Sequence, residues 1–335
     1  MEAGFPIEDL DFIIQMLDFR KLQNQNLLLT GGTGFIGRWF IESFLHANKE
    51  LSLNASLTII TRNVKKFLDA YPKYKSVQSL KYWETDVRNL GEIPMKFSFV
   101  IHAAADSESR SKPFQAIETI ETITSGTKNM LSLAYEMEAE KFLFLSSGAV
   151  YGKISEPVSE TYAGAPDLRS NASYGESKRM AELLCNIYAE NSKLNVSIAR
   201  IFSLVGPGLP LNLNFAIGNF IRDFISKREI VIRGDGNPIR SYIYASELMV
   251  WLWKILLESR SGETYNVGSD ESISMGDLAR KISFDLASVK ILNETKSETR
   301  DVYVPVITKA KKDLGLEIQI SLEKSIQKTI EFYRN

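Results

Sequence analysis

Eight residues, Thr30-Gly31-Gly32-Thr33-Gly34-Phe35-Ile36-Gly37, follow the apolar run Leu27-Leu28-Leu29 and precede an amphipathic stretch that begins at Trp39. Glycines 31, 34 and 37 therefore fall where a buried strand turns into a helix, and few folds accept that arrangement. One glycine permits a tight turn, one lets main-chain amides approach a ligand, and one lets helix and strand pack closely. The helix start offers free N–H groups and the positive end of its dipole to an anion. With these flanks, Gly31, Thr33, Gly34, Phe35, Ile36 and Gly37 read as a dinucleotide pyrophosphate turn rather than a glycine-rich surface loop.

The rest of the chain agrees with that start. Strand-like runs at 26–30, 57–61, 80–84, 97–102, 141–146 and 195–201 alternate with helical patterns, notably 38–47, 114–138 and 173–191. Short apolar strands alternating with helices predict a parallel sheet covered on both faces, an α/β doubly wound sheet of the Rossmann type. Ligands in such sheets sit at the carboxyl ends of strands, so the loops after residues 30, 61, 86, 102, 146 and 202 carry the information. After Gly206-Pro207-Gly208 the rhythm changes. A helix (215–227), strands (230–232 and 240–244), a helix (246–258), a strand (263–267) and helices (274–287 and 321–333) predict a smaller C-terminal substrate-binding lobe. The expected organisation is a helical extension at 1–23, a dinucleotide-binding domain at 24–207 with segments near 241–268 returning to it, and a substrate lobe over 208–335. In the extension, Ile7, Leu10, Ile13, Ile14 and Leu17 share one side of a helix over 7–20, expected to cover the sheet edge.

Composition narrows the partners. The 335 residues are 44% hydrophobic, and 40 basic side chains nearly cancel 41 acidic ones. That balance does not suggest bulk capture of nucleic acid or a membrane surface. One cysteine, Cys185 in a helical setting, excludes an intramolecular disulfide and reads as a small core residue. Two histidines and no metal-ligand spacing predict no metal site. Acids at Glu8, Asp9, Asp11 and Asp18 argue against a signal peptide. No stretch approaches the roughly 20 apolar residues that span a bilayer. The expected location is the cytoplasm.

A second constellation is Tyr174-Gly-Glu-Ser-Lys178. On a helix, Tyr174 and Lys178 lie one turn apart on one face. A free tyrosine, with a pKa near about 10, is a poor base at neutral pH. A neighbouring ammonium favours the phenolate and makes proton transfer to or from a hydroxyl feasible. A strand ending Leu145-Ser146-Ser147 places another hydroxyl at a carboxyl end, where Ser147 can steady a reacting oxygen. Taken singly, each group has an ordinary alternative: a chance pair, or a serine bonding its own backbone.

Together, Thr-Gly-Gly-Thr-Gly-Phe-Ile-Gly, Ser-Ser-Gly-Ala-Val-Tyr-Gly and Tyr-Gly-Glu-Ser-Lys strongly resemble the extended short-chain dehydrogenase/reductases, closest to the nucleotide-sugar epimerase/dehydratase branch. The resemblance runs over about residues 24–290 and continues through Ala199-Arg200-Ile201-Phe202, Val205-Gly206-Pro207-Gly208, Gly234-Asp235-Gly236, Arg240-Ser-Tyr-Ile-Tyr and Tyr265-Asn266-Val267-Gly268. It implies Ser147, Tyr174 and Lys178 as catalytic groups, with Tyr174 and Lys178 also against the cofactor. It implies that Arg240 binds the substrate's pyrophosphate, which suits a guanidinium fork, and that Ser147 and Asn214 contact the sugar nucleotide. It implies adenine contact at Asp86, with Val87 also at the cofactor, although Asp86 serves equally as a helix N-cap. Ala103, Ala104 and Ala105 would form small, close walls for the cofactor. Two positions depart from the family pattern: Ser203 and Ile123 stand where asparagines are frequent. The resemblance also implies a homodimer through 114–138 and 173–191.

An NAD site usually has an acid at the end of the second strand. Here that strand ends Ile59-Ile60-Thr61-Arg62-Asn63, so Arg62, assisted by Arg38, suits a 2′-phosphate. NADP(H) is favoured, with NAD the alternative if both arginines are solvated. Family dehydratases carry an Asp-Glu pair after the catalytic hydroxyl, and decarboxylases a Ser-Glu pair. Gly148 and Ala149 stand there and transfer no protons. That leaves chemistry at C4 of a nucleotide-activated sugar: 4-keto reduction or epimerisation. Dehydration or decarboxylation would need an acid from another loop, such as Asp106 or Glu108. The competing class, a cofactor-binding sensor or scaffold, fits poorly with an intact tyrosine and lysine.

Overall fold

The computed structural model describes residues 4–91, 95–105, 113–213, 215–293 and 301–334. Asp106, Glu108 and Asn214 lie outside them.

The dinucleotide half begins with a helix, α1 (Ile7–Gln15), followed by β1 (Asn26–Thr30), α2 (Phe35–Glu50), β2 (Ser56–Thr61), α3 (Val64–Ala70) and β3 (Leu80–Glu84). Then come β4 (Phe99–His102), α4 (Pro113–Glu136), β5 (Lys141–Ser147), α5 (Ser173–Asn191) and β6 (Asn195–Ile201). The second half contains β7 (Leu204–Val205), α6 (Ala216–Ile225), β8 (Ile230–Ile232), β9 (Ile239–Arg240), β10 (Ile243–Tyr244), α7 (Ala245–Glu258) and β11 (Thr264–Val267). It finishes with β12 (Ile273–Ser274), α8 (Met275–Ser283), β13 (Val289–Ile291), β14 (Val302–Tyr303), α9 (Thr308–Leu314) and α10 (Leu322–Arg334).

Seven parallel strands form the central sheet in the order β11-β6-β5-β4-β1-β2-β3. The direction of winding reverses between β1 and β4, which opens a crevice at their carboxyl ends. Strands β1, β4 and β5 are apolar and buried on both faces, as a doubly covered parallel sheet requires. One face packs against α1, α2 and α7 through Trp39, Phe40, Phe44, Trp251 and Trp253. The other packs against α4 and α5 through Ile123, Met130, Leu131, Ala181 and Cys185. A third core, with Ile221, Leu278 and Ile326 at its centre, belongs to the second half.

Some boundaries differ from expectation for local reasons. The first helix stops at Gln15, and Asp18 accepts from Arg20 N at 3.1 Å to start a short 3₁₀ turn. This helix lies on α2 and α7 rather than over the sheet edge. Asp9 fixes it from inside, accepting from Tyr244 Oη at 2.7 Å and Lys328 Nζ at 2.5 Å. The strand expected over 240–244 is broken because β9 pairs with β12 and β14, whereas β10 pairs with β7. Helix α8 ends at Ser283 because Phe284 adopts a left-handed conformation, φ +47°.

Candidate active site

The glycine turn works by close approach. Gly31 has φ +70°, and a Cβ there would sit 2.6 Å from Ala103 O. A Cβ on Gly37 would fall 2.2 Å from Gly31 O, so helix α2 can seat only on a glycine. Gly34 is different. Its nearest such contact is ordinary, 3.5 Å, and it lies exposed at the start of α2 beside Thr33, where an approaching phosphate would meet it.

Behind the turn lies a buried polar tie that the sequence reading missed. Thr30 Oγ1 accepts from the amides of Ala103 at 3.1 Å and Ala104 at 3.0 Å. Its own proton therefore goes to His102 Nδ1, 2.8 Å away, and leaves Nε2 protonated to donate to Thr127 Oγ1 at 3.1 Å. Burial, with the nearby Lys178 charge, pushes the His102 pKa down to about 3, so the ring stays neutral. The tie locks the Ala103–Ala105 wall to the glycine turn and to α4.

At the far strand ends, Asn129 Nδ2 donates to Val87 O at 3.0 Å and Arg88 O at 2.9 Å, holding this loop against α4. Asp86 binds Arg88 through Nε at 3.0 Å and Nη2 at 2.7 Å. The Arg88 guanidinium holds the Asp86 carboxyl below its usual range, with Arg62 adding to the effect. Arg62 is exposed at the end of β2. Arg38 has a different job from the expected one. It is buried, donates to Gly208 O at 2.8 Å, and lies over the rings of Phe5 and Tyr71 at 5.8 and 5.1 Å. It ties the N-terminal segment to the second half of the chain.

The three side chains expected to be catalytic, Ser147, Tyr174 and Lys178, lie where β5 meets α5. Ser147 ends β5, and its Oγ accepts from Ala149 N at 3.2 Å. Tyr174 and Lys178 occupy the first turns of α5. Lys178 is buried, donates to Leu145 O at 2.6 Å, and has its ammonium 5.9 Å from the Tyr174 ring centre. Burial pulls its pKa down to about 8. Gly175 explains the close docking: a Cβ there would stand 2.6 Å from Ala149 O. The glycine inside Tyr-Gly-Glu-Ser-Lys was the overlooked signal.

Beneath them Arg200 grips Glu182 at 2.6–3.2 Å and reaches Tyr151 Oη at 2.7 Å, while Ser146 Oγ donates to Glu182 at 2.5 Å. Tyr151 Oη donates to Asn266 Oδ1 at 2.8 Å. This network joins β5, α5, β6 and β11 under Ser147.

The place after Ser147 is closed. A Cβ on Gly148 would sit 2.8 Å from Phe202 Cε1 and 2.9 Å from Tyr303 Oη. Tyr303, absent from the expected site, stands 3.3 Å from Ser147 Oγ. Arg240 faces it across the β9–β14 pair, bonded to Asp301 Oδ2 at 2.6 Å and 5.8 Å above the Tyr303 ring. Among the described residues no three His, Cys, Asp or Glu side chains cluster as a metal site. No described helix is long and apolar enough to cross a membrane.

The sequence model of the NAD dependent epimerase/dehydratase family matches residues 27–268, more than half of the chain. UDP-glucuronic acid decarboxylase 1 of Xenopus tropicalis is 28% identical over 316 residues, covering 92% of this chain and 72% of that protein. Among solved structures, the UDP-glucuronic acid 4-epimerase of Bacillus cereus, in complex with UDP-glucuronic acid and NAD, is similar with TM-score 0.76 and 22% identity, covering 92% and 99% of the two chains. The dTDP-glucose 4,6-dehydratase DesIV of Streptomyces venezuelae, with NAD bound, gives TM-score 0.77 and 23% identity over 92% and 97%. At those identities the structures share the fold, while the two proteins are named for different reactions.

Proposed function

Because the chain belongs to the NAD dependent epimerase/dehydratase family, we propose that it moves a hydride at C4 of a nucleotide-activated sugar, with C4 epimerisation the leading reaction. The observation that carries this reading is the closed space at Gly148. Phe202 and Tyr303 leave no room there for the acid that elimination uses, and Ala149 has no titratable group. Ala149, standing where decarboxylases carry the glutamate of their Ser-Glu pair, argues against the reaction of the decarboxylase relative, despite its sequence similarity.

The residues present fit a dinucleotide. The turn at Gly31–Gly37, the exposed Gly34 and the Ala103–Ala105 wall form a cradle that added Cβ atoms would fill. Bound there, the nicotinamide supplies a hydride acceptor and donor. The chain does the remaining work. Lys178, charged and buried, favours the Tyr174 phenolate, which takes the proton of the sugar's C4 hydroxyl and later returns it. Ser147 donates a hydrogen bond to the same oxygen. Arg240 holds the substrate's pyrophosphate, which must displace or share Asp301.

A second reading, reduction of a 4-keto sugar with NADPH, rests on Arg62, which suits a 2′-phosphate. With Arg38 engaged elsewhere, that preference depends on Arg62 alone. The NAD in the Bacillus cereus epimerase structure supports the first reading. Proton NMR of the protein with UDP-glucose, UDP-glucuronic acid, UDP-N-acetylglucosamine and dTDP-glucose tests it. The expected product is a C4 epimer with C6 intact. Release of carbon dioxide, or a 4-keto-6-deoxy product, would overturn the assignment. Cofactor extracted from the purified protein separates the two readings: retained NAD goes with epimerisation, and an empty site filled by NADPH goes with reduction.

The functional unit we propose is a homodimer. Ile117, Ile120 and Tyr135 on α4, and Met180, Leu183 and Ile187 on the adjacent α5, are exposed apolar side chains. A second copy placing its own pair against them would bury the patch as a four-helix contact.

A further inference from the structure

Ser147 has one proton and two acceptor sites on its oxygen. If it is to donate to the sugar, its proton must be kept free and its oxygen held. The amide of Ala149 fills one acceptor site at 3.2 Å. The second neighbour is the phenol of Tyr303 at 3.3 Å. Tyr303 comes from a short strand more than 150 residues further along, seated by pairing with β9 directly opposite Arg240. Its ring packs on Phe202 with centres 4.7 Å apart, and its oxygen fills the space beside Gly148.

We propose that Tyr303 is a positioning residue of the active site, donating its phenolic proton to Ser147 Oγ so that the serine proton is aimed at the reacting oxygen of the sugar. The inference rests on Ser147 being the group that bonds that oxygen. The phenol also reaches Ile201 O, at 3.5 Å, the outer edge of hydrogen-bond range. When a sugar oxygen takes the serine proton, Ser147 Oγ becomes the better acceptor, because hydrogen bonds in a chain polarise one another. Arrival of substrate therefore draws the Tyr303 proton toward Ser147 and away from Ile201.

Tyr303→Phe keeps the ring on Phe202 and removes only the oxygen. Turnover of whichever sugar nucleotide in the panel above is converted should fall about tenfold or more in kcat, since one hydrogen bond to a reacting group is lost. KM for the sugar nucleotide, affinity for the dinucleotide and the melting temperature should stay close to those of the unaltered protein. In a Ser147→Ala background, Tyr303→Phe should cause no further loss. Unchanged kcat in Tyr303→Phe, a rise in KM alone, or losses that multiply in the double variant would each overturn the proposal. Unchanged turnover in Ser147→Ala would instead overturn the assignment of Ser147 itself, and this inference with it.

Discussion

Raising the pH through 8 should switch off turnover while it stabilises the fold, and both effects come from Lys178. The side chain is buried, with its ammonium on Leu145 O and 4.5 Å from the centre of the Phe144 ring. Burial lowers its pKa from 10.5 to about 8. Charging this lysine is therefore harder inside the protein than in water by roughly 3 kcal/mol. With that value, about nine-tenths of the molecules carry the charge at pH 7, half at pH 8 and about a tenth at pH 9. Tyr174 loses its supporting cation over the same range. The profile of kcat/KM against pH should fall with unit slope above about pH 8, and in Lys178→Met the residual activity should lack that limb.

Stability moves the other way. Between the folded pKa of about 8 and the unfolded value of 10.5, the unfolded chain binds more protons at this position. Its contribution to folding therefore becomes more favourable as pH rises through that window. Below the window the burial penalty is fully present; above it, the penalty is gone. Melting temperatures of the unaltered protein and of Lys178→Met, compared at each pH, cancel the other titrating groups. The unaltered protein should gain on the variant between pH 8 and 10. A flat activity profile from pH 7 to 9.5 would refute the reasoning. So would a loss of stability relative to the variant in the window where activity falls.

Other consequences are open to direct measurement. Truncating Arg200→Ala leaves Glu182 buried without its fork, so denaturant unfolding should show a loss of about 3–5 kcal/mol; a loss below about 1 kcal/mol would mean the network is not structural. Gly148→Asp should abolish C4 chemistry without giving dehydration, because the new side chain meets Phe202 and Tyr303 within 3 Å; a dehydrated product in the NMR assay would show that the space opens. Gly37→Ala, whose Cβ meets Gly31 O at 2.2 Å, should disrupt the turn and lower the melting temperature, whereas Gly34→Ala should fold normally and lose dinucleotide affinity in calorimetry. Leu183→Glu places a charge on the exposed α4–α5 face and should convert a dimer to a monomer by light scattering; a monomeric unaltered protein would end that proposal.

What could be read from the chain follows from how locally each feature is encoded. The β1 turn was legible because its glycines lie within seven residues and answer to contacts made inside the turn and with the neighbouring strand. The strand–helix alternation was legible because strands buried on both faces must be continuously apolar. Tyr174 and Lys178 needed only the helix period to meet on one face. Arg38 shows the limit of such reasoning. Its place beside Gly37 suggested a phosphate, but what decides its direction is Gly208, 170 residues away, and the rings of Phe5 and Tyr71. Helix α3 was missed because its signal is capping rather than periodicity: Asn63 Oδ1 accepts from Lys66 N at 2.7 Å, and Glu84 accepts from Val64 N at 2.8 Å. Those bonds also change the meaning of the β2 end. Asn63 at the β2 end and Glu84 at the end of β3 are engaged in starting a helix, and Arg62 beside Asn63 is exposed. Tyr303 was illegible for the strongest reason. Its strand has two residues, and its pairing with Arg240 and its packing on Phe202 carry it to Ser147. The Ser147 hydroxyl is local to its motif; its hydrogen-bonding environment is a property of the whole fold.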